Sequence, residues 1–104
     1  MSFDVSVEKA CGCGSINYNI TYNVSPMFYL ALDSEDGLRG LNELKCSEAI
    51  PKLQRAIEYF DNHWADMMSL NPKNGWGSAD GARELLSDLL RDCFRYPDST
   101  IIVS

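Results

Sequence analysis

Hydrophobic and polar residues alternate from the start of the chain. Phe3, Val5 and Val7 fall on one side and Asp4, Ser6 and Glu8 on the other, the period of a strand with one buried face. Cys11-Gly12-Cys13-Gly14-Ser15 has turn composition and predicts a hairpin loop. A second alternation runs over residues 16–24. Ile16, Tyr18, Ile20, Tyr22 and Val24 share one face, and Asn17, Asn19, Thr21 and Asn23 share the other. The period then lengthens. Ser25-Pro26 reads as a helix start, with Ser25 as N-cap and Pro26 at the first helical position, ahead of a short helix over residues 27–32. Asp33-Ser34-Glu35-Asp36-Gly37 ends it, and Leu38-Arg39-Gly40-Leu41 reads as a tight connector.

Ile50, Leu53, Ile57, Phe60, Trp64 and Met67 or Met68 recur at three and four residues, which predicts one helical stripe of roughly five turns. Ser47 reads as its N-cap, Glu48 suits the first turn, and Pro51 is tolerated only because it falls there. His63 lies beside the stripe as a boundary residue. Asn71-Pro72-Lys73-Asn74-Gly75-Trp76-Gly77 contains almost nothing that a helix or strand would choose. Ser78 then caps a last helix, supported by Asp80, with Ala82, Leu85, Leu86, Leu89, Leu90, Cys93 and Phe94 as its buried face. Tyr96-Pro97-Asp98-Ser99 ends it, and the β-branched Thr100-Ile101-Ile102-Val103 closes the chain as a strand. The fold class predicted is α+β, one domain over residues 1–104. A small antiparallel sheet, made of the N-terminal hairpin and the C-terminal strand, is packed on one face by two long helices and one short one.

Apolar residues make up 45% of the 104 residues, enough for one modest core. The net charge of −6 argues against nonspecific binding to nucleic acid or to an anionic membrane. It leaves open a basic protein partner or a small anionic ligand. No window approaches the roughly 18 apolar residues of a membrane helix. The first residues lack the basic start and apolar run of a signal peptide, so the cytoplasm of whichever cell makes the protein is the expected location.

Two stretches carry the candidate chemistry. Trp76, held between Gly75 and Gly77, either plugs the core or lines a site together with the turn amides. The row Asn17, Asn19, Thr21 and Asn23 is either a solvated face or a hydrogen-bonding surface, since asparagine is disfavoured in strands. The predicted ligand- or partner-binding residues are therefore Asn17, Asn19, Thr21, Asn23, Asn74, Gly75, Trp76 and Gly77, with Arg39 as an anion contact. A competing account has the Asn19 and Asn23 amides satisfying the loop backbone and holding the turn shut. Asp80, Glu84, Asp88 and Asp92 recur at every fourth residue of the last helix, with Arg83, Arg91 and Arg95 three positions after Asp80, Asp88 and Asp92. The row reads as partly paired surface charge, or alternatively as a partner site that mimics nucleic acid.

Cys11-Gly12-Cys13, with Cys46, Cys93 or His63, is a poor match to zinc spacing, because one residue separates the pair and no second pair follows. No metal or cofactor is expected. His63 is the lone histidine, and the chain has no phosphate loop, His-Glu-x-x-His or dinucleotide fingerprint, so catalysis is not expected.

Asn19-Ile20-Thr21-Tyr22-Asn23 followed by Asn71-Pro72-Lys73-Asn74-Gly75-Trp76-Gly77 resembles the paired N-[IL]-T-x-N and N-P-x-N-G-W-G motifs of a group of small phage, prophage and bacterial proteins. The resemblance spans roughly residues 16–103 and leaves out the Cys11–Cys13 segment. It carries no activity to transfer; it implies an accessory protein of mobile elements. On that basis the expected function is non-catalytic binding that antagonises host defence, by engaging a defence protein or sequestering a nucleotide signal. The alternatives are an acidic mimic blocking a nuclease or CRISPR effector, and a small hydrolase or transferase. A homodimer is left open.

Overall fold

The computed structural model describes residues 2–10, 12, 14–73, 75 and 77–104. Strands β1 (Ser2–Glu8) and β2 (Ser15–Thr21) form the expected hairpin, with Phe3 opposite Ile20, Val5 opposite Tyr18 and Val7 opposite Ile16. Strand β3 (Thr100–Val103) pairs antiparallel on the other side of β1, giving the order β2-β1-β3. Helices α1 (Ser25–Ala31), α2 (Cys46–Asn62), α3 (Trp64–Ser69) and α4 (Ala79–Arg95) complete an α+β fold. Phe3, Val5 and Val7 of β1 join one buried cluster with Leu53 and Phe60 of α2 and Leu86 and Leu89 of α4. No helix among the described residues is long and apolar enough to cross a membrane.

Five local expectations are corrected. The second strand stops at Thr21, and residues Tyr22–Val24 turn as a 3₁₀ helix. The Thr21 hydroxyl accepts the Asn23 N–H at 3.3 Å, a local bond that competes with the sheet ladder. Asn23 is thereby removed from the polar row.

Ser25 is already helical, Val24 holds the N-cap position, and only Pro26 behaves as expected. The cap of α2 is likewise not Ser47, because the helix begins at Cys46. The Cys46 N–H donates to the Ser99 carbonyl at 2.8 Å and the Ser47 N–H to that of Pro97 at 3.0 Å. The segment before β3 thus supplies the acceptors that a capping side chain would otherwise provide.

The long stripe is broken at His63, whose backbone (φ −125°, ψ 33°) separates α2 from α3. Phe60 and Met67 are buried on either side of the break, while Met68 is exposed.

On α4 the buried face differs at its end. Phe94 is 57% exposed and Asp92 only 2%. At 3.6 residues per turn Asp92 lies about 60° from Leu89 around the helix and Phe94 about 140°, so the acid turns in and the ring turns out. Burial of Asp92 is tolerated because the Tyr18 hydroxyl donates to its carboxylate and Arg91 Nε lies 3.5 Å from it. Tyr18 therefore faces the helices, as the alternation predicts.

Burial, and then the Asp92 carboxylate, push the Tyr18 hydroxyl from 10.0 up to about 12. Its neutral form is favoured in the fold. The stabilisation is therefore present below about pH 10 and is lost as pH rises towards 12. At neutral pH, Tyr18→Phe should cost about 1–3 kcal/mol by taking a donor from a buried carboxylate. Between pH 10 and 12 the difference in melting temperature between wild type and Tyr18→Phe should shrink. A constant difference across that range would show that the hydroxyl and Asp92 are not coupled.

Candidate binding site

The corner where β2 gives way to the 3₁₀ turn is met by the loop leading into α4. Gly77 has φ +100°, and a Cβ there would stand 2.6 Å from Thr21 Cγ2 and 2.9 Å from Val24 Cγ1. Only a residue without a side chain lets the loop backbone close on the turn. The early and late sequence motifs therefore touch, at Thr21 and Gly77.

The loop is fastened to α4 by side chains. Ser78 Oγ accepts the Gly81 N–H at 3.1 Å, as the sequence predicts, and Asn71 Oδ1 accepts the Ala79 N–H at 2.8 Å. Gly75 also has positive φ (+77°), with open space around it.

Arg39 reaches the same turn from the 3₁₀ segment Gly37–Leu41. Its Nη2 donates to the Tyr22 hydroxyl at 2.9 Å. The guanidinium lies over the rings of Phe3 (5.1 Å) and Tyr22 (5.3 Å), which themselves meet edge-on at 4.5 Å. Arg39 and Asn23 are both exposed. A guanidinium carries five donors, and among the described residues one of those on Arg39 is engaged. The corner thus gathers Thr21, Asn23, Arg39 and Gly77 around one turn, with a fixed cation and an exposed amide.

Asn17 and Asn19 do not belong to it. Asn19 Nδ2 lies 2.9 Å from Ser2 Oγ, 3.2 Å from the Phe3 carbonyl and 2.7 Å from Asp4 Oδ1, so this amide ties β2 to β1. Asn17 Nδ2 lies 3.5 Å from Ser15 Oγ on the same outer face of the sheet. Asn74 and Trp76, and likewise Cys11 and Cys13, lie outside the described residues.

Cys46 and Cys93 are buried free thiols beside one another, and burial pushes both up, which leaves little reactive thiolate. His63 is exposed, stacks on Tyr59 at 4.1 Å and has Nδ1 3.1 Å from the Tyr59 carbonyl. Among the described residues no group of three or more His, Cys, Asp or Glu side chains is placed to hold a metal ion.

The acidic row is not a continuous surface. Asp80 and Glu84 are exposed, Asp88 pairs with Arg91 at 3.3 Å, and Asp92 is buried. Arg83 turns away from Asp80 to make a two-pronged contact with Asp61 of α2 at 2.8 and 3.0 Å. Those hydrogen bonds hold the Asp61 carboxyl below its usual range.

A groove that the sequence reading missed lies between α1 and α2, lined by Tyr29, Leu30, Asp33, Lys52, Arg55 and Tyr59. Its signal was present in part, because Lys52, Arg55 and Tyr59 are spaced by three and four along one face of α2.

No known protein family, curated protein or solved structure matches the chain.

Proposed function

We propose that this is a small non-catalytic binding protein of phage or prophage type. It antagonises a bacterial host's defence from the host cytoplasm, by engaging a defence protein or sequestering a nucleotide signal. The observation that supports this reading is the seating of Gly77 on Thr21 and Val24 beside the exposed Asn23 and Arg39. Glycine geometry is spent there on bringing two separate motifs together, and convergent polar groups on a rigid corner are the makings of a specific contact. The acidic-mimic reading is weaker, because Asp92 is buried and Asp88 is paired, so half of the proposed charge row is not presented.

The test is expression in bacterial strains that each carry one defence system, followed by phage challenge. Wild-type protein is expected to restore plating on at least one strain, and Asp80→Lys with Glu84→Lys is expected to preserve that effect. Plating unchanged on every strain would contradict the reading. Loss of the effect in the charge-reversed protein, with melting unchanged, would move the mimic reading to first place.

A further inference from the structure

We infer that the groove between α1 and α2 is a separate binding site for a nucleotide-sized ligand carrying one phosphate and a planar base. Its volume is about 610 Å³, inside the roughly 300–1,000 Å³ typical of small-molecule sites. Lys52 and Arg55 lie one turn apart on the same face of α2, so both reach the same side of the groove. Neither forms an ion pair with a carboxylate among the described residues, in a chain whose net charge is −6. The one hydrogen bond either makes there is from Arg55 Nε to the Pro51 carbonyl, at 3.4 Å. Two uncommitted cations facing one concavity are what an anionic group requires.

The walls fit a flat ring. Tyr29 is 48% exposed, and one side of its ring lies against the backbone of Gly37, where a Cβ would stand 3.1 Å from two ring carbons. Gly37 has φ +57°, so glycine serves there both the turn and the seat of the ring. Tyr59 is braced by the imidazole of His63, with ring centroids 4.1 Å apart and planes 18° from parallel. Aromatic side chains backed in this way stack on a base at little entropic cost. Asp33 also lines the groove. It offers an acceptor to a ribose hydroxyl or base N–H and disfavours a highly charged anion. Asn23, Arg39 and Gly77 line no part of this groove, so the site stands or falls apart from the corner.

The experiment is calorimetric titration of the full-length protein with the four common ribonucleoside monophosphates, the corresponding nucleosides and inorganic phosphate. At least one monophosphate is expected to bind, with its nucleoside and phosphate alone each weaker by roughly tenfold or more, the factor expected for losing a charge-assisted hydrogen bond. Lys52→Met with Arg55→Met removes two exposed charges and should leave melting unchanged while weakening the monophosphate by about a hundredfold. Tyr29→Leu should weaken the monophosphate and leave phosphate unaltered. The proposal is overturned if no monophosphate binds, or if phosphate binds as well as the monophosphates. It is also overturned if binding survives the Lys52 and Arg55 substitutions, or if a polyglutamate peptide binds more tightly than any monophosphate.

Discussion

Gly77→Ala should lower the melting temperature more than any other single change in the corner. Two costs add at this position. An alanine at φ +100° is strained, at about 1–3 kcal/mol, and its Cβ would stand 2.6 Å from Thr21 Cγ2 and 2.9 Å from Val24 Cγ1. Neither neighbour can give way easily, because Val24 is buried and the Thr21 hydroxyl is committed to Asn23. Overpacking of this kind costs about 1–3 kcal/mol more. The sum, about 4 kcal/mol, corresponds to a fall of roughly 20 °C for a chain of this size. Gly75→Ala is the control. It shares the positive φ, at +77°, but a Cβ there meets nothing within 4 Å, so only the strain remains. Thermal melts of the two variants should differ by the clash alone, with Gly77→Ala the less stable. Equal melting temperatures would mean that the loop does not close on Thr21.

Phe3→Ala is expected to be of similar size and to act on both stability and the site. Phe3 is buried on the helix-facing side of β1, with its ring 4.5 Å from that of Tyr22 and 6.4 Å from that of Phe28. Truncating a core phenylalanine costs about 3–5 kcal/mol. The same ring carries the Arg39 guanidinium at 5.1 Å, so its loss also removes one of the two aromatic faces that fix the cation. Tyr22→Phe separates the two effects. It keeps the packing, deletes only the hydroxyl that accepts from Arg39, and should cost about 1 kcal/mol. Chemical denaturation of the three proteins checks the order: wild type, Tyr22→Phe, then Phe3→Ala as the least stable.

The parts of the fold legible in the sequence are those set by local periodicity. Phe3, Val5 and Val7 are buried as their alternation requires, β3 forms where four β-branched residues stand together, and Ser78 caps α4. What escaped depends on contacts between distant segments. Nothing near Cys46 announces that the carbonyls of Pro97 and Ser99 will satisfy the first turn of α2. Alternation through Val24 conceals that the Thr21 hydroxyl diverts the chain into a 3₁₀ turn. The burial of Asp92 at the end of the α4 stripe is hidden in the sequence for a related reason. A carboxylate is normally assigned to solvent, and Tyr18, the donor that permits Asp92 to be buried, is 74 residues away in the chain.

The candidate site divides in the same way. Gly75 was legible as special because turn composition is a local signal, whereas the meeting of Gly77 with Thr21 joins two distant segments and needed the fold to bring them together. The asparagine row was read as one surface because strand period is local as well, yet the Asn19 amide is turned onto β1 and Asn23 has left the strand. Half of the α1–α2 groove was likewise visible on one helix face. The other half, Tyr29 seated on Gly37, comes from a different part of the chain and needed the fold to assemble it.

The corner as a binding site is tested most directly by measuring melting and plating on the same proteins. Asn23→Ala with Arg39→Ala removes two exposed side chains from the corner, and Asn17→Ala removes one from the sheet away from it. The double variant should remain cooperatively folded, having lost roughly 0.5–1 kcal/mol of cation–π contact and one hydrogen bond. It should fail to restore phage plating, while Asn17→Ala keeps both fold and effect. Full plating by a folded protein lacking Asn23 and Arg39 would contradict the assignment.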